Sequence, residues 1–330
     1  MKKKDYVGID ISKEKVDIRL FDSKMDGKFD NKPSGFKKMI SLFEKQVDKD
    51  TELMFCFEHT GLYAVPLQVF LEKENMAYHM VSGLQVKRSL GIQRGKNDRI
   101  DAKRLAEYAH AHGEEIKPQK LQSANLIRLK YLLSMRSRLV RQRAGFKASI
   151  KDYKKCLALT NTDVMVHVQQ EMINVIDKQV DKLEKEIKGI IASDTKIQPL
   201  FNLATSVKGI GLITAMYMIV LTNCFTEFKT WRKFACYAGS APFEHQSGTS
   251  IRGKTRISHY ANKQMKAILT NAVKSAIQHC PELRLYYQKK LKEGKHKKIV
   301  VNIIRNKLIS RVFAVVRRGT PYVELIKYAA

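Results

Sequence analysis

Four carboxylates stand where an apolar strand runs out or a helix begins, and that placement suits metal-assisted phosphoryl chemistry. Asp10 comes near the end of the run Tyr6–Ser12 (YVGIDIS), and Glu58 follows the run Leu53–Phe57. Asp98 and Asp101 open a helical pattern that continues through Leu105, Ala106 and Ala109. Each has an ordinary reading when taken alone, as a turn former, a strand-end charge, a helix cap or a surface charge. Asp98 and Asp101 are three residues apart and so share a helix face, and the first turn of a helix suits negative charge. A charge on a buried strand gains nothing unless it is paired or bound to a cation. Four converging carboxylates would repel one another and raise one another's pKa values until a cation neutralised them. Two Mg²⁺ ions, about 4 Å apart, are the usual solution in phosphodiester chemistry. His59 beside Glu58 is a poor Mg²⁺ ligand as a neutral imidazole, and reads as a neighbour with no metal role.

The elements that must position these groups follow from the apolar patterning. Val16–Phe21 alternates as a strand, Asp22–Gly35 is rich in turn residues, and Phe36–Phe43 has helical spacing. The apolar run before Glu58 suits a central strand, a helix follows through Tyr63, Leu67, Phe70 and Leu71, and Tyr78–Val81 is a further short strand. Residues 1–115 therefore read as an α/β domain with its site at one edge of the sheet. Residues 116–195 carry two long helical patterns, which argue for an antiparallel pair or an intermolecular coiled coil. The first is rich in cations, including Arg136 and Arg141, and points to a phosphate backbone or to a solvated basic face. Tyr131 and Tyr153 fit base stacking and core packing equally well.

Residues 196–330 open with Lys208-Gly209-Ile210-Gly211 ahead of an apolar helix from Leu212. Such a turn exposes backbone N–H groups at the positive end of a helix, a seat for one phosphate, in the manner of a helix-hairpin-helix; a plain tight turn is the bland alternative. Further on, Gln246–Ser258 (QSGTSIRGKTRIS) combines small residues with Arg252, Lys254 and Arg256, which supply phosphate-binding charge. A serine hydroxyl there needs activation before it can attack anything, and a Ser-Gly turn by itself is far more often structural.

The charge balance names the partner. The 330 residues carry 61 Lys plus Arg against 32 Asp plus Glu, a net charge of +29, which favours a polyanion. A membrane is disfavoured, because the longest apolar run, Leu212–Leu221, is too short to span a bilayer. Lys2–Lys4 are followed by Asp5 and Asp10 where a signal peptide needs its apolar segment. Five scattered cysteines without a CxxC pair argue against structural zinc and disulfides, and for a reducing, cytoplasmic location. Nucleic acid is the expected partner.

The combination GIDIS (Asp10), FEHTG (Glu58) and KNDRIDA (Asp98, Asp101) resembles the RuvC-like domain of the DEDD insertion-sequence transposases, the insertion-sequence 110 family. The segment QSGTSIRGKTRIS resembles their second motif region. The resemblance implies an α/β ribonuclease-H-like (RuvC-like) amino-terminal domain at 1–115. It implies a helical coiled-coil middle at 116–195 for oligomerisation and nucleic-acid contact. It also implies a mostly α-helical carboxy-terminal transposase domain at 196–330. Asp10, Glu58, Asp98 and Asp101 would be the Mg²⁺-binding tetrad and Ser247 the nucleophile that forms a phosphoserine link, with Ser250 and Ser258 as fallbacks. Lys208, Gly209, Gly211, Arg252, Lys254, Arg256, Arg136 and Arg141 would contact nucleic acid. The implied partners are donor and target DNA, a guide non-coding RNA, and further copies of the chain as a dimer or tetramer whose subunits share active sites. Two departures stand out: Gly239-Ser240-Ala241-Pro242 where members often have Gly-Leu-x-Pro, and His259-Tyr260-Ala261-Asn262 where they tend to carry a glycine. Alternative functions are a RuvC-type junction-resolving nuclease and a non-catalytic nucleic-acid-binding regulator.

Overall fold

Strand β1 (Lys4–Ile11) serves two faces at once, which explains its nearly continuous apolar sequence. Val7, Ile9 and Ile11 point into one core, while Tyr6, Gly8 and Asp10 point the other way. In this computed structural model, residues 3–48, 50–89, 91, 95, 97–247 and 251–323 are described, with the backbone alone at 245, 247, 251, 252 and 254. The chain forms two compact units, Met1–Leu121 and Gln122–Ala330.

The first unit is a five-stranded sheet in the order β3-β2-β1-β4-β5, with β2 (Lys15–Leu20), β3 (Asp26–Asp30), β4 (Glu52–Glu58) and β5 (Ala77–Val81). β1, β2 and β3 pair antiparallel, whereas β4 and β5 run parallel to β1. Parallel strands need crossovers, and these are helix α1 (Pro33–Gln46) before β4 and helix α2 (Val65–Lys73) before β5. Phe36, Met39 and Phe43 of α1 and Leu67, Phe70 and Leu71 of α2 cover the face carrying Val7, Ile9, Phe55 and Phe57. The opposite face receives α3 (Gly83–Ser89) and α4 (Asp98–Ala111), with Leu105, Tyr108 and Ala109 against Met54 and Cys56. The turn-rich stretch after Asp22 therefore contains a strand that the sequence pattern does not announce. Its pairing to β2 comes from Lys28 opposite Asp17 and Asp26 opposite Arg19, charge pairs in place of the usual β-branched residues.

Among its described residues the second unit has one hairpin and otherwise helices with their connecting turns. Helices α5 (Ala124–Cys156) and α6 (Val164–Ser193) pair antiparallel, since Arg128, Arg136 and Arg143 meet Glu186, Glu184 and Asp177 in reverse order. Leu126, Leu129 and Leu133 of α5 and Ile187, Ile190 and Ile191 of α6 share a core with the helices that follow. Those are α7 (Ile197–Thr205), α8 (Leu212–Leu221), α9 (Trp231–Tyr237), α10 (Lys263–His279), α11 (Pro281–Lys292) and α12 (Lys297–Arg318). α8 is apolar all round because it is enclosed all round. Among the described residues no helix is long and apolar enough to cross a membrane. α9 begins at Trp231, and ahead of it Asn223, Cys224 and Phe225 all have positive φ, which no helix accommodates. β6 (Pro242–Ser247) and β7 (Ile251–Ile257) form the hairpin, with Ser247 opposite Ile251.

Candidate active site

Sheet register brings the carboxylates together. Asp10 lies directly opposite Asp17 on β2, and Asp17 lies opposite Lys28 on β3, so the three form one row across the sheet. On the other side, Ile9 pairs with Phe57 in a parallel ladder, which puts Glu58 one step on, beside Asp10. Asp98 and Asp101 arrive from above, in the first turn of α4, whose Asn97 side chain caps the helix by accepting from Ile100 N at 2.8 Å. What lets α4 lie so close is Gly8. A Cβ at that position would stand 2.1 Å from Ala102 O and 2.3 Å from Ala106 N. Glycine in a strand marks such a close backbone approach, and the buried Ala102 and Ala106 complete the contact.

The electrostatics record the convergence. Burial first, then the charges of Asp98, Asp101, Glu58 and Asp17, push the Asp10 carboxyl up to about 6. The other three residues expected in the tetrad thus all act on Asp10. The protein's own cations balance part of the charge. Lys28 Nζ sits 3.0 Å from Asp17 and 3.9 Å from Asp98, and the Asp17 hydrogen bond and charge raise its pKa. Arg104 donates to Asp101 at 2.9 Å. Asp26 accepts from Arg19 at 2.8 Å and from Arg99 Nε at 2.6 Å, tying the first turn of α4 to β2 and β3. Gly83 lies against Glu58, where an added Cβ would come 2.5 Å from Oε2.

These donors are all oxygens, the ligand type that hard divalent cations take. Lys28 lies 3.9 Å from Asp98 and Arg104 lies 2.9 Å from Asp101. Among the described residues no three carboxylate, histidine or cysteine groups close on one point tightly enough to hold a metal ion. The donor chemistry fits such an ion, and Lys28 and Arg104 balance part of the charge that it would neutralise. Neighbouring Cys56 is buried, its thiol pushed up to about 12 by burial and then by Glu58, so it is no nucleophile.

The remaining candidates lie in the second unit. Ser247 is the last residue of β6, at the tip of the hairpin, and its side chain lies outside the described residues, as do those of Arg252 and Lys254 on β7 and all of Ser250. Arg256 is exposed near the hairpin's other end, where it pairs with Phe243. The described part of the small-residue stretch thus belongs to a β-ribbon. Lys208 is exposed in the α7–α8 turn. Gly209 has φ +92°, and a Cβ there would come 2.5 Å from Ala276 Cβ and 2.8 Å from Ala272 O, so this glycine also serves packing. Gly211 is the N-cap residue of α8. Arg136 donates to Glu184 at 2.7 Å, which commits this cation to the α5–α6 pair, whereas Arg141 is exposed and donates to Ser137 O. Lys28, Asp26, Arg104 and Gly83 escape a reading by motif. Only Gly8, a glycine between apolar strand residues, carries a sequence signal that could have been followed.

Two family models match the chain in order. One, described as "Transposase" of the DEDD insertion-sequence 110 type, matches residues 7–157, and the other, "Transposase IS116/IS110/IS902 family", matches residues 202–288. The chain is 27% identical to the "Pilin gene-inverting protein" of Moraxella bovis over 329 residues, covering 97% of this chain and 98% of that one. It is 30% identical to the "Insertion element IS110 uncharacterized 43.6 kDa protein" of Streptomyces coelicolor over 161 residues, 48% of this chain and 38% of that one. A "Probable family 20 transposase" of Pseudomonas aeruginosa is 22% identical over 260 residues, 70% of this chain and 75% of that one.

Proposed function

This chain belongs to the IS116/IS110/IS902 family of transposases, and from that premise we propose that it cuts and rejoins DNA through a phosphoserine link. Asp10, Glu58, Asp98 and Asp101 are the residues that would hold Mg²⁺, two ions per site, and Ser247 is the nucleophile. The observation that carries the metal-site reading is the gathering of carboxylates around Asp10, whose ionisation is opposed by burial and by the charges of Asp98, Asp101, Glu58 and Asp17. The sheet order 3-2-1-4-5, with α4 laid across β1, supports a ribonuclease-H-like fold for residues 1–115. Residues 116–195 serve as the oligomerisation and nucleic-acid-contacting region, and residues 196–330 form the transposase domain. A cytoplasmic homodimer or tetramer guided by a non-coding RNA completes the reading.

A bound divalent cation would supply neutralisation of the carboxylates and of the scissile phosphate. The chain's residues do the rest. The Ser247 hydroxyl gives up its proton as its oxygen bonds to phosphorus. The bond from phosphorus to one deoxyribose oxygen breaks, and that oxygen takes a proton and leaves as a free hydroxyl. Attack on the phosphoserine by the hydroxyl of another strand reverses these bond changes, restores Ser247 and seals the exchanged strand. Lys208, Gly209, Gly211, Arg252, Lys254, Arg256 and Arg141 are the proposed backbone contacts, and Arg136 contributes to that face while paired to Glu184.

The test is a Mg²⁺ reaction on labelled element-end DNA, resolved on a denaturing gel. Wild type is expected to yield protein–DNA adducts, absent from Ser247→Ala and Asp10→Asn. Free cleaved strands accumulating undiminished in Ser247→Ala would replace this reading by a junction-resolving nuclease.

A further inference from the structure

Helix α12 turns three polar residues, Asn302, Arg305 and Asn306, towards the rest of the second unit, at the i, i+3, i+4 spacing of a core stripe. Asn302 and Asn306 have a structural task, since both donate to Ser240 O, at 2.7 and 3.1 Å, and so anchor the turn that leads into β6. Arg305 is different. It is only 9% exposed, yet it donates to two neutral groups alone, Asn302 Oδ1 and Thr270 Oγ1, both at 2.9 Å. Its Nε is buried without a partner. No carboxylate pairs with it among the described residues.

A second cation stands next to it. Lys266 lies half-buried in the first turn of α10, and burial followed by the charge of Arg305 holds it below the usual lysine range. Lys263 occupies the same first turn, which contains no acidic residue. Cations at the positive end of a helix are unfavourably placed. A buried guanidinium without a counter-ion is costlier still, which is why buried charges come paired. Lys266 in the first turn of this 17-residue helix, and Arg305 reaching from α12 to Thr270 one turn further along, describe a seat whose anion is supplied from outside. Gly239, with φ +67°, folds over the stem of this lysine, because a Cβ there would lie 3.6 Å from Lys266 Cδ.

We propose that Lys266, backed by Arg305, binds one backbone phosphate of the nucleic acid engaged by the β6–β7 hairpin. The proposal rests on the reading of the chain as one that acts on nucleic acid, and not on the chemistry of Ser247. Lys266 is the contact residue and Arg305 lies behind it. The guanidinium fixes the Thr270 and Asn302 side chains and adds its charge to the site, and the two asparagines hold the turn that leads into β6. A purely structural Arg305 would brace the Ser240 turn and leave nucleic-acid binding unmoved.

The experiment is fluorescence anisotropy of the full chain with a labelled 20-base-pair DNA duplex and, separately, a 20-nucleotide RNA strand. Both are measured in EDTA across a NaCl series, so that no strand chemistry intervenes and failure of the phosphoserine reading stays distinct from failure here. Lys266→Gln should keep the unfolding midpoint of the wild type. It should weaken binding about 3- to 10-fold near 0.1 M salt and flatten the slope of log K against log salt by about 0.9 on duplex DNA or about 0.7 on a single strand, the loss of one phosphate contact. The nucleic acid whose slope falls is the source of the phosphate. Lys274→Gln, on the exposed face of α10, should change neither slope by as much. A folded Lys266→Gln with wild-type slopes on both nucleic acids overturns the proposal. So does an Arg305→Met protein that folds and binds as wild type; if that variant does not fold, Lys266→Gln decides alone.

Discussion

The two units concentrate charge in opposite senses and by different means. In the first, register and one helix crossing gather Asp10, Asp17, Glu58, Asp98 and Asp101, and Lys28 and Arg104 offset only part of the repulsion. In the second, helix faces place Lys266 beside Arg305, with no carboxylate paired to Arg305 among the described residues. Like charges gathered in a folded chain destabilise it until a ligand of opposite sign arrives, so their presence points to what is bound. Under the proposed function the first unit would receive a cation and the second an anion.

The sharpest way to break this comparison is Asp10→Asn. Recombination should fall to background. In metal-free protein the same change should raise stability, because a carboxyl with a pKa near 6 when folded and 3.8 when unfolded favours the protonated state on folding. That contribution is complete below pH 4 and is lost as pH rises through 6, so wild type should weaken over this interval while Asp10→Asn does not. At pH 7 the gain is about 1–2 kcal/mol after discounting for solvent screening, a few degrees in the unfolding midpoint. A midpoint that falls in metal-free Asp10→Asn would show that the carboxylates are not held against repulsion.

Gly8→Val probes the geometry, not the charge. With Ala102 O only 2.1 Å from the new Cβ, α4 must lift from β1 and carry Asp98 and Asp101 away. Thermal unfolding should show a loss of about 1–3 kcal/mol, and activity should vanish with Asp10 intact; unchanged activity would mean that α4 need not sit on β1. The smallest effect belongs to Arg136. A double-mutant cycle with Glu184→Ala should give a coupling of about 0.5–1 kcal/mol for this half-buried pair. Its contribution to the salt slope should stay below that of Lys266, which would separate cations spent on helix pairing from those left for phosphate.

The sequence made the strands β1 and β4, the opening of α4 and the four carboxylates legible, because apolar runs ending in charge are local patterns. It hid β3, whose residues Asp26–Asp30 (DGKFD) become a strand only through cross-strand partners Arg19 and Asp17. For the same reason it hid Lys28 as counter-charge. The β6–β7 hairpin lies in a stretch whose small residues give little strand signal, and that no carboxylate pairs with Arg305 among the described residues is something no motif records. Local rules find elements and termini; register, close approach and missing partners exist only once the chain is folded.

The outer flank of β5 has a practical consequence. Gln119 N donates to Tyr78 O at 2.8 Å and Met80 N to Gln119 Oε1 at 2.9 Å, while Leu121 N reaches Glu72 Oε1 at 2.5 Å. This short tail closes an otherwise open row of strand amides and carbonyls, the kind of edge along which proteins aggregate. A fragment ending at Leu121 should therefore be well behaved at high concentration, whereas one ending at Glu115 should precipitate, and anyone wishing to study the carboxylate sheet by itself should cut after the tail.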